Sequence, residues 1–572
     1  MVILGISAYY HDSAAALVKD GVIIAAAEEE RFNRVKHFNG FPELACRFCL
    51  SYASLTLNDV DKVVFYEKPF LKFERILRTH INYAPKTLGS FLTSMPIWLK
   101  EKLDMRKTIQ KELKRVFGIS YKNIGFCLHH LSHAALANYI SPYNKCAILV
   151  VDAVGEDSTT SIYKVEDGRY KLLESQQFPH SLGLLYSAFT YYLGFKVNSD
   201  EYKVMGLAPY GDKDSAEYKK IRNTITNNLV NIHDDGCISL NDREFAFTHK
   251  NRMVDDERWK ILFGIPMRMP NGFIERIHMN MALAIQDITE EVLNKMVAHA
   301  ISITGEKKVC IVGGCALNCA AIGKLKEHFG VNNIYVPFAP GDDGAAIGCA
   351  TYACGIVNNG MSSQCSPYLG PEFSEEDIQS TIESYSLTYE KKTNNDELYS
   401  IISKEIANNK IVGWFRGRME FGPRALGNRS ILADPRNPDM KDIINGKIKF
   451  RESFRPFAPI VMQEHANEIF QNIDESPYMS STFFLKPGEQ RYPAITHIDK
   501  TSRIQTVSHF QNPPIYELLK TFYIHTGCPM LLNTSFNVMG QPIVCSPKDA
   551  IDTFLKTGID ILVMNNFILQ KS

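Results

Sequence analysis

Short apolar runs separated by turn residues open the chain and predict a β-meander. VILGIS, AAALV and VIIAAAEE have the length and composition of buried strands, and Asp20-Gly21 marks a tight hairpin between the last two. The same order returns as AILVVD, TTSIYKV and RYKLLES, with Asp167-Gly168 as the matching turn. In each copy the loop after the first strand contains Asp and Ser, at Asp12-Ser13 and Asp157-Ser158. The N-terminal part is therefore predicted to contain two related halves.

This repeat indicates a fold class. Internal duplication with a polar loop after strand one is the pattern of the actin/hexokinase-like (ASKHA) fold. Two such loops that face one cleft can hold a nucleotide phosphate chain from both sides. Chance similarity between two β-hairpins is the alternative explanation.

Beyond residue 280 the pattern becomes α/β. A long helical run ends at Gly305, and the strand KVCIVGG follows. ALNCAAIGKLKEHFG then predicts a helix, NIYVPF a strand, and the stretch from Gly341 to Tyr352 the start of another helix. Residues 355–395 are polar and rich in Pro, Gly, Ser and Asn, as in a linker with a short helix.

A second α/β domain is predicted after this linker. Leu398, Ile402 and Ile406 have helical spacing, and the strand KIVGWF follows them. We assign residues 1–360 to the first domain, 361–395 to the linker region and 396–572 to the second domain.

Composition limits the choice of function. Lys and Arg total 63, as do Asp and Glu, so the formal net charge is zero and no bulk charge favours nucleic acid or an anionic membrane. No window approaches 18 uninterrupted apolar residues, and the N-terminus lacks the basic region of a signal peptide. The thirteen cysteines lie mostly in apolar segments, as free thiols of a cytoplasmic protein do. Cys46 and Cys49 form a CxxC inside an apparent helix, without a second pair that would indicate a metal site.

A candidate metal site begins with HHLSHAALANYI. His129 and His133 are four residues apart on a predicted helix, so both rings can point the same way. Asp152 closes the strand AILVVD, and Asp342 lies between a strand and a helix in PFAPGDDGAAIG. Two His and two Asp suit Fe²⁺ or Mn²⁺ better than a closed structural zinc site. The alternative is a polar helix face without a metal.

Two glycine turns indicate a nucleotide cleft. VGGCALN and PGDDGAAIG each join a strand to a helix, where the backbone can approach a ligand closely. A P-loop motif does not occur in the sequence. Tyr9, His11 and Lys36 are polar groups in or near the first meander, and Lys36 is equally well explained as a solvated charge beside three glutamates.

The second domain contains a cation-rich set that predicts a phosphate site. RGRMEFGPRALGNRS carries four arginines, and their neighbours Phe, Gly, Pro and Leu are unlike those of an exposed polar run. The residues of this set are Arg416, Arg418, Arg424, Arg429, Lys447, Lys449, Arg451, Arg455, Arg503, Asn533, Thr534, Ser535 and Asn537.

MEFGPRALGNRSILADPR, FRPFAP, NTSFN, EYKVMGLAPYG and HHLSHAA together resemble the NodU/CmcH O-carbamoyltransferase family over nearly the whole chain. The resemblance implies a Kae-type N-terminal domain of actin-like fold and a YrdC-like C-terminal domain. It implies that the C-terminal domain makes carbamoyl adenylate from carbamoyl phosphate and ATP, with Mg²⁺ accompanying ATP. The N-terminal domain would then transfer the carbamoyl group to a hydroxyl at a divalent metal, usually iron.

Matched motif by motif, the resemblance assigns roles to single residues. The metal ligands fall on His129, His133, Asp152 and Asp342, with the choice between Asp342 and Asp343 left open. The adenylate-handling positions of the N-terminal domain fall on Tyr9, His11, Lys36, Gly314 and Asn318. The carbamoyl phosphate and ATP site falls on Arg424, Lys449, Arg455, Arg503, Asn533 and Ser535.

The sequence leaves two other functions possible and does not identify the acceptor. An actin-like small-molecule kinase would need no HxxxH pair, and a non-catalytic nucleotide-binding regulator would release no pyrophosphate. The neutral charge balance argues against RNA as the acceptor. We therefore expect a small natural-product or sugar-like hydroxyl compound, as in antibiotic tailoring, and a homodimer only as the base-rate expectation.

Overall fold

The computed structural model describes residues 1–98, 103–250, 252–355 and 365–571. The chain divides into two compact units, Met1–Ala25 with Asn39–Cys365 and Ala26–Phe38 with Ser366–Ser572. The predicted domain boundary near residue 360 lies outside the described residues. The division also differs from the contiguous one that the sequence suggested, because residues 26–38 belong to the second unit. Hydrogen bonds retain them there: Ala26 N donates to Leu369 O at 3.2 Å, and Arg31 Nη2 donates to Gly422 O at 2.9 Å.

Twelve strands and thirteen α-helices precede residue 356 in the described chain. The strands are β1 Val2–Ser7, β2 Ala14–Lys19, β3 Val22–Glu28, β4 Lys62–Phe65, β5 Ile124–Phe126, β6 Lys145–Val151, β7 Ser158–Glu166, β8 Arg169–Gln177, β9 Val230–Ile232, β10 Ile238–Leu240, β11 Val309–Val312 and β12 Ile334–Tyr335. The helices are α1 Glu30–Asn33, α2 Glu43–Tyr52, α3 Pro69–Asn82, α4 Leu88–Ile97, α5 Met105–Phe117, α6 His129–Ile140, α7 Leu182–Tyr192, α8 Glu201–Leu207, α9 Ala216–Thr224, α10 Asp256–Phe263, α11 Arg276–Thr304, α12 Cys319–Phe329 and α13 Ala345–Ala353.

The first unit contains the predicted duplication. Its two five-stranded sheets have the orders β3-β2-β1-β4-β5 and β8-β7-β6-β11-β12. In both, the central strand has an antiparallel neighbour on one side, β2 or β7, and a parallel neighbour on the other, β4 or β11. Both Asp-Gly hairpins have positive φ at each turn residue, as a type I′ turn requires. The actin-like α/β architecture predicted from the repeat is confirmed.

Close helix packing brings the two halves of the first unit together. Helix α6 follows β5, and α13 packs against both α6 and β1. A Cβ on Gly348 of α13 would lie 1.8 Å from Ser132 O, so only glycine permits this contact. The ends of β1 and β6 and the start of α13 thereby meet in one region, where the polar loops begin.

The second unit is built on one mixed sheet, in agreement with an α/β C-terminal domain. Its strands are β13 Glu390–Lys391, β14 Val412–Phe415, β15 Arg429–Ala433, β16 Ala458–Met462, β17 Thr482–Phe484, β18 Thr501–Arg503, β19 Gln505–Val507, β20 Met530–Ser535, β21 Ile561–Met564 and β22 Phe567–Gln570. Eight of them form the order β13-β22-β21-β14-β15-β20-β16-β19, and β17 pairs with β18. The helices are α1 together with α14 Glu375–Ser384, α15 Asn395–Ala407, α16 Met440–Ile444, α17 Gln463–Ile469, α18 Pro513–Thr526 and α19 Pro547–Lys556.

Two further expectations can be compared with this fold. All thirteen cysteines are free thiols, as the sequence predicted. None of the helices that the structure describes is both long enough and apolar enough to cross a membrane.

Candidate functional site

The first site is a buried His/Asp cluster in the first unit. His129 and His133 lie one turn apart on α6, Asp152 directly follows β6, and Asp342 lies in the loop before α13. His129 Nε2 is 2.9 Å from Asp152 Oδ2 and 3.2 Å from His133 Nε2. Asp342 Oδ1 lies 3.6 Å from the first ring nitrogen and 3.5 Å from the second. The structure thus brings together all four predicted ligands, and Asp342 is the member of the Asp342-Asp343 pair that joins them.

The spacing of these four donor atoms fits a divalent metal ion. All lie within 4.8 Å of one another. Bonds of about 2.1 Å place adjacent ligands roughly 3.0–3.4 Å apart and opposite ones about 4.2 Å apart. The Nδ1 atoms of His129 and His133 are buried and have no hydrogen-bond partner among the described residues, so each ring contacts the cluster through Nε2. Two imidazoles and two carboxylates form the borderline donor set that suits Fe²⁺, Mn²⁺ or Zn²⁺.

The electrostatics of the cluster also favour a cation. Burial by itself lowers the pKa of His129, but the negative charges of Asp342 and Asp152 outweigh it and raise the pKa to about 9. Burial would raise the pKa of Asp152, yet the hydrogen bond and charge of His129 hold it well below its ordinary value. Without a metal, the cluster therefore holds a proton between ionised carboxylates. A divalent cation can take the place of that proton.

The glycine turn after β11 orients one of the ligands. Gly314 N donates to Asp152 Oδ1 at 3.2 Å, and Ala153 N donates to the same oxygen at 2.8 Å. Oδ2 is left facing the histidines. Gly313 has a φ of 89°, and a Cβ there would lie 2.4 Å from Val151 O, so this turn requires glycine. The structure places Gly314 beside Asp152 of the cluster, and the Gly314 backbone N–H orients that carboxylate.

His11 lies at the edge of the cluster, and Tyr9 is two residues before it in the chain. His11 Nε2 is 3.8 Å from Asp342 Oδ2, and its Nδ1 is 2.9 Å from Asp12 Oδ2. Burial lowers the pKa of His11, but Asp342 and Asp12 outweigh this and raise it to about 9. Tyr9 has a φ of 71° and donates its backbone N–H to Asn39 O at 2.9 Å. Its hydroxyl is buried without a hydrogen-bond partner in the described part of the chain.

Two other predicted adenylate positions have different surroundings. Asn318 caps α12 by accepting from Ala321 N, and its amide pairs with that of Gln286 through hydrogen bonds of 2.9 and 3.0 Å. Lys36 belongs to the second unit, where its charge acts on Lys449, and is therefore not a residue of the N-terminal unit as predicted. The charge run around Lys36 contained no signal of this placement.

Sequence reasoning missed Glu156, which supports the His/Asp cluster. This buried residue accepts hydrogen bonds at Oε1 from the backbone N–H of His129, at 2.9 Å, and of Lys68, at 2.8 Å. It therefore holds the first residue of α6 in place. The only available signal was its position in the AVGEDS loop after β6.

The second site is in the second unit and includes the loop that carries Arg424. Glu420, which is 2% exposed, accepts backbone hydrogen bonds at Oε1 from Leu426 and Asn428 at 2.7 Å and from Arg429 at 3.2 Å. These three hydrogen bonds hold the loop around the Glu420 carboxylate. Arg424 is in the chain segment between Glu420 and Leu426, and its side chain is partly buried.

The other arginines of this stretch hold the loop in shape. Arg429 is fully buried, stacks 3.7 Å above the Phe415 ring and donates to four backbone carbonyls. Arg418 donates to Leu369 O and Gly370 O. Arg416 contacts the rings of Trp414 and Tyr399 and donates to Asn395. The contacts of Arg416, Arg418 and Arg429 thus stabilise the conformation of this loop.

Lys449 is the centre of a group of cations. Its Nζ donates to Ser535 Oγ at 3.2 Å and to Asn537 Oδ1 at 2.9 Å, and also to the Ser535 carbonyl. Burial lowers the pKa of this ammonium well below its ordinary value. The positive charges of Arg451, Arg455 and Lys36 lower it further. Lys449 thus lies within the electrostatic influence of three other basic residues, Lys36, Arg451 and Arg455. Such a concentration of positive charge favours the binding of a polyanion.

Arg503 and Asn533 each offer a buried polar atom without a partner. Asn533 Nδ2 donates to Gln505 Oε1 and Ala425 O, while its Oδ1 accepts no hydrogen bond from any described residue. The Nε of Arg503 is likewise buried and unpartnered within the described ranges. Such atoms carry a desolvation cost that a bound ligand can remove.

Comparisons with known proteins find two matching family models and several similar proteins. The family models "Carbamoyltransferase N-terminus" and "Carbamoyltransferase C-terminus" match residues 2–351 and 403–571. An uncharacterized protein of Synechocystis sp. is 43% identical over 602 residues, which cover 100% of this chain and 97% of that protein. Nodulation protein NolNO of Sinorhizobium fredii is 35% identical over 98% of this chain and 79% of its own length. Nodulation protein U of Rhizobium tropici is 30% identical over 93% of this chain and 90% of its own length.

Proposed function

Because this chain belongs to the carbamoyltransferase family, we propose that it transfers a carbamoyl group from carbamoyl phosphate to the hydroxyl of a small molecule in two steps. The second unit makes carbamoyl adenylate from carbamoyl phosphate and ATP. Atom balance requires that one water is consumed and that inorganic phosphate and pyrophosphate leave. The first unit then exchanges the adenylate for the acceptor oxygen and releases AMP.

The observation that carries this proposal is the pairing, in one chain, of two chemically different sites. One is a buried two-histidine, two-aspartate cluster, and the other is the group of cations around Lys449. A kinase of actin-like fold would need neither the metal ligands nor the second unit. A nucleotide-binding regulator would need no buried metal cluster.

In the second unit, positive charge brings two polyanions together. Lys449, Arg455 and Arg503 offer donors to phosphate oxygens, and Arg424 is held on a loop that Glu420 organises. Arginine forks bind phosphate oxygens in pairs and stabilise the charge on a leaving pyrophosphate. Mg²⁺ would accompany ATP.

In the first unit, His129, His133, Asp152 and Asp342 would hold Fe²⁺ or Mn²⁺. Such an ion, when bound, polarises a carbonyl oxygen and stabilises the negative charge that develops on it. His11, next to Asp342, would orient the incoming hydroxyl, and it would accept the proton of that hydroxyl only where a bound cation offsets the Asp342 charge that raises its pKa. Gly314 keeps Asp152 in the orientation that the cluster needs.

Two substitutions separate the two steps. His129→Ala removes a metal ligand, so we expect loss of bound metal and of transfer, with pyrophosphate release retained. Arg424→Ala is expected to lose carbamoyl-phosphate-dependent pyrophosphate release and still to transfer from supplied carbamoyl adenylate. The exposed residues His328 and Arg491 provide matched alanine controls in the first and second units. The two-site proposal is wrong if both test variants lose the same activities.

The acceptor is proposed only as a class. We propose a hydroxyl-bearing natural product or sugar-like compound, as in antibiotic tailoring, acted on in the cytoplasm by a homodimer. Incubating candidate acceptors with carbamoyl phosphate and ATP, and measuring the mass of a carbamoyl group on the product, tests this. An unmodified acceptor set with steady pyrophosphate release would reject the tested class.

A further inference from the structure

Gln505, a buried residue of β19 in the second unit, has no assigned role. It is 2% exposed, and both ends of its side-chain amide are hydrogen-bonded. Nε2 donates to Leu426 O at 2.9 Å, and Oε1 accepts from Asn533 Nδ2 at 3.0 Å. A backbone carbonyl only accepts, so these contacts determine which end of the Gln505 amide is the oxygen. Gln505 thus connects the loop that carries Arg424 to Asn533, which is predicted to belong to the carbamoyl phosphate and ATP site.

The register of the sheet explains how the two amides meet. Ala458 of β16 lies opposite Asn533 of β20. Ile460 of β16 lies opposite Gln505. Paired residues, and residues two apart on one strand, share a face of the sheet, so these four side chains point to the same side. Gln505 and Asn533 therefore meet across β16, over the small side chain of Ala458, and Leu426 packs with Ala458 in one buried cluster on this face.

The contacts of Asn533 leave one atom for a ligand. Both hydrogens of Nδ2 are used, one by Gln505 Oε1 and the other by Ala425 O at 3.3 Å. Oδ1 is buried and has no hydrogen-bond partner among the described residues. If the amide were turned over, its oxygen would face two acceptor oxygens, so the hydrogen bonds permit only this orientation. A buried acceptor that lacks a donor is costly, and a ligand that donates to it removes that cost.

We propose that Gln505 is a positioning residue that fixes the Asn533 amide, so that Asn533 Oδ1 accepts a hydrogen bond from an N–H group of a substrate. This inference rests on the proposed use of carbamoyl phosphate and ATP in the second unit. Phosphate oxygens accept hydrogen bonds from the cations of that site, whereas the carbamoyl NH₂ and the 6-amino group of adenine donate them. Either amino group has the required chemistry, and the test distinguishes the two.

The test uses the full-length chain and measures pyrophosphate release. Gln505→Met keeps the length of the side chain and removes both hydrogen bonds, so the Asn533 amide becomes free to rotate. We expect kcat/KM for the substrate that donates the N–H to fall about 10- to 100-fold, as loss of a buried hydrogen bond predicts. Acetyl phosphate, with CH₃ in place of NH₂, and purine riboside triphosphate, which lacks the 6-amino group, are the comparison substrates. The preference for the amino-bearing member of one pair should fall by a similar factor, and that pair identifies the donor.

A double-mutant cycle separates positioning from a general effect on the fold. Asn533→Ala should by itself lower the same preference, and in that background Gln505→Met should change kcat/KM by less than about 2-fold. Gln505→Glu retains an oxygen for Asn533 Nδ2, and its protonated form, which burial favours, also donates to Leu426 O. It should therefore recover most of the preference. Gln471→Met is the matched control, since Gln471 likewise donates to a backbone carbonyl, that of Leu485, at 2.7 Å.

Three outcomes would overturn the inference. They are an unchanged preference for both pairs in Gln505→Met, an equal fall for both pairs, and the same loss of kcat/KM whether or not Asn533 is present. Failure of the wild-type chain to release pyrophosphate with carbamoyl phosphate would instead reject the proposed function.

Discussion

The carboxylate of Glu420 organises the arginine loop, and its neutralisation tests how that loop is held. Its Oε1 accepts three backbone hydrogen bonds, from Leu426, Asn428 and Arg429. Its Oε2 is buried and unpartnered within the described ranges. Glu420→Gln replaces a charged acceptor by a neutral one and puts an amide NH₂ in place of one carboxylate oxygen.

The expected magnitude follows from these contacts. Hydrogen bonds to a charged group contribute about 1.5–3 kcal/mol and neutral ones about 1 kcal/mol, so three bonds would lose roughly 2 kcal/mol between them. Burying an unsatisfied donor costs about 1–3 kcal/mol more. We therefore expect the free energy of unfolding of the second unit to fall by about 3 kcal/mol. Arg424 should lose its fixed position as the loop loosens, which weakens carbamoyl phosphate binding.

The assay can follow the second unit by itself. The chain has three tryptophans, and Trp414, buried on β14, is the one that lies in the second unit. Fluorescence of a Trp98→Phe, Trp259→Phe background during urea unfolding therefore reports on the neighbourhood of this loop. Glu468→Gln, at a residue with a 62% exposed side chain, is the control and should change stability by less than about 0.5 kcal/mol. An unfolding curve of Glu420→Gln that matches the control would refute the reasoning.

Two further predictions concern the first unit. The raised pKa of His129, about 9 in the metal-free cluster, means that divalent metal must displace a proton, so metal affinity should rise with pH up to about pH 9 and level off above it. Calorimetry in buffers of different ionisation enthalpy should show proton release, and the same affinity at pH 7 and pH 9 would contradict this. By linkage, the stability that protonated His129 gives the metal-free chain is complete below about pH 6.5 and is lost as pH rises through about 9. Gly348→Ala would place a Cβ 1.8 Å from Ser132 O, so α6 and α13 must separate. We expect a loss of about 3 kcal/mol in stability and loss of bound metal, measured by thermal unfolding and elemental analysis. Gly89→Ala, where a Cβ meets open space, is the control and should retain metal. Wild-type metal content in Gly348→Ala would show that this helix contact is dispensable.

Much of this protein was determined by local sequence. Hydrophobic alternation and the Asp-Gly turns predicted both meanders, since a strand pattern and a positive-φ hairpin are set by neighbouring residues. The four-residue spacing of His129 and His133 placed both rings on one side of α6 for the same reason. The motifs were also sufficient to name the family and to select the four cluster residues.

Only the tertiary structure decided relations between residues far apart in the chain. It assigned residues 26–38 to the second unit and moved Lys36 to the cations around Lys449, because hydrogen bonds to Leu369 and Gly422 hold that segment there. It showed that Arg418 and Arg429 donate to backbone carbonyls and hold the loop, since a guanidinium that does so looks the same in sequence as one that binds phosphate.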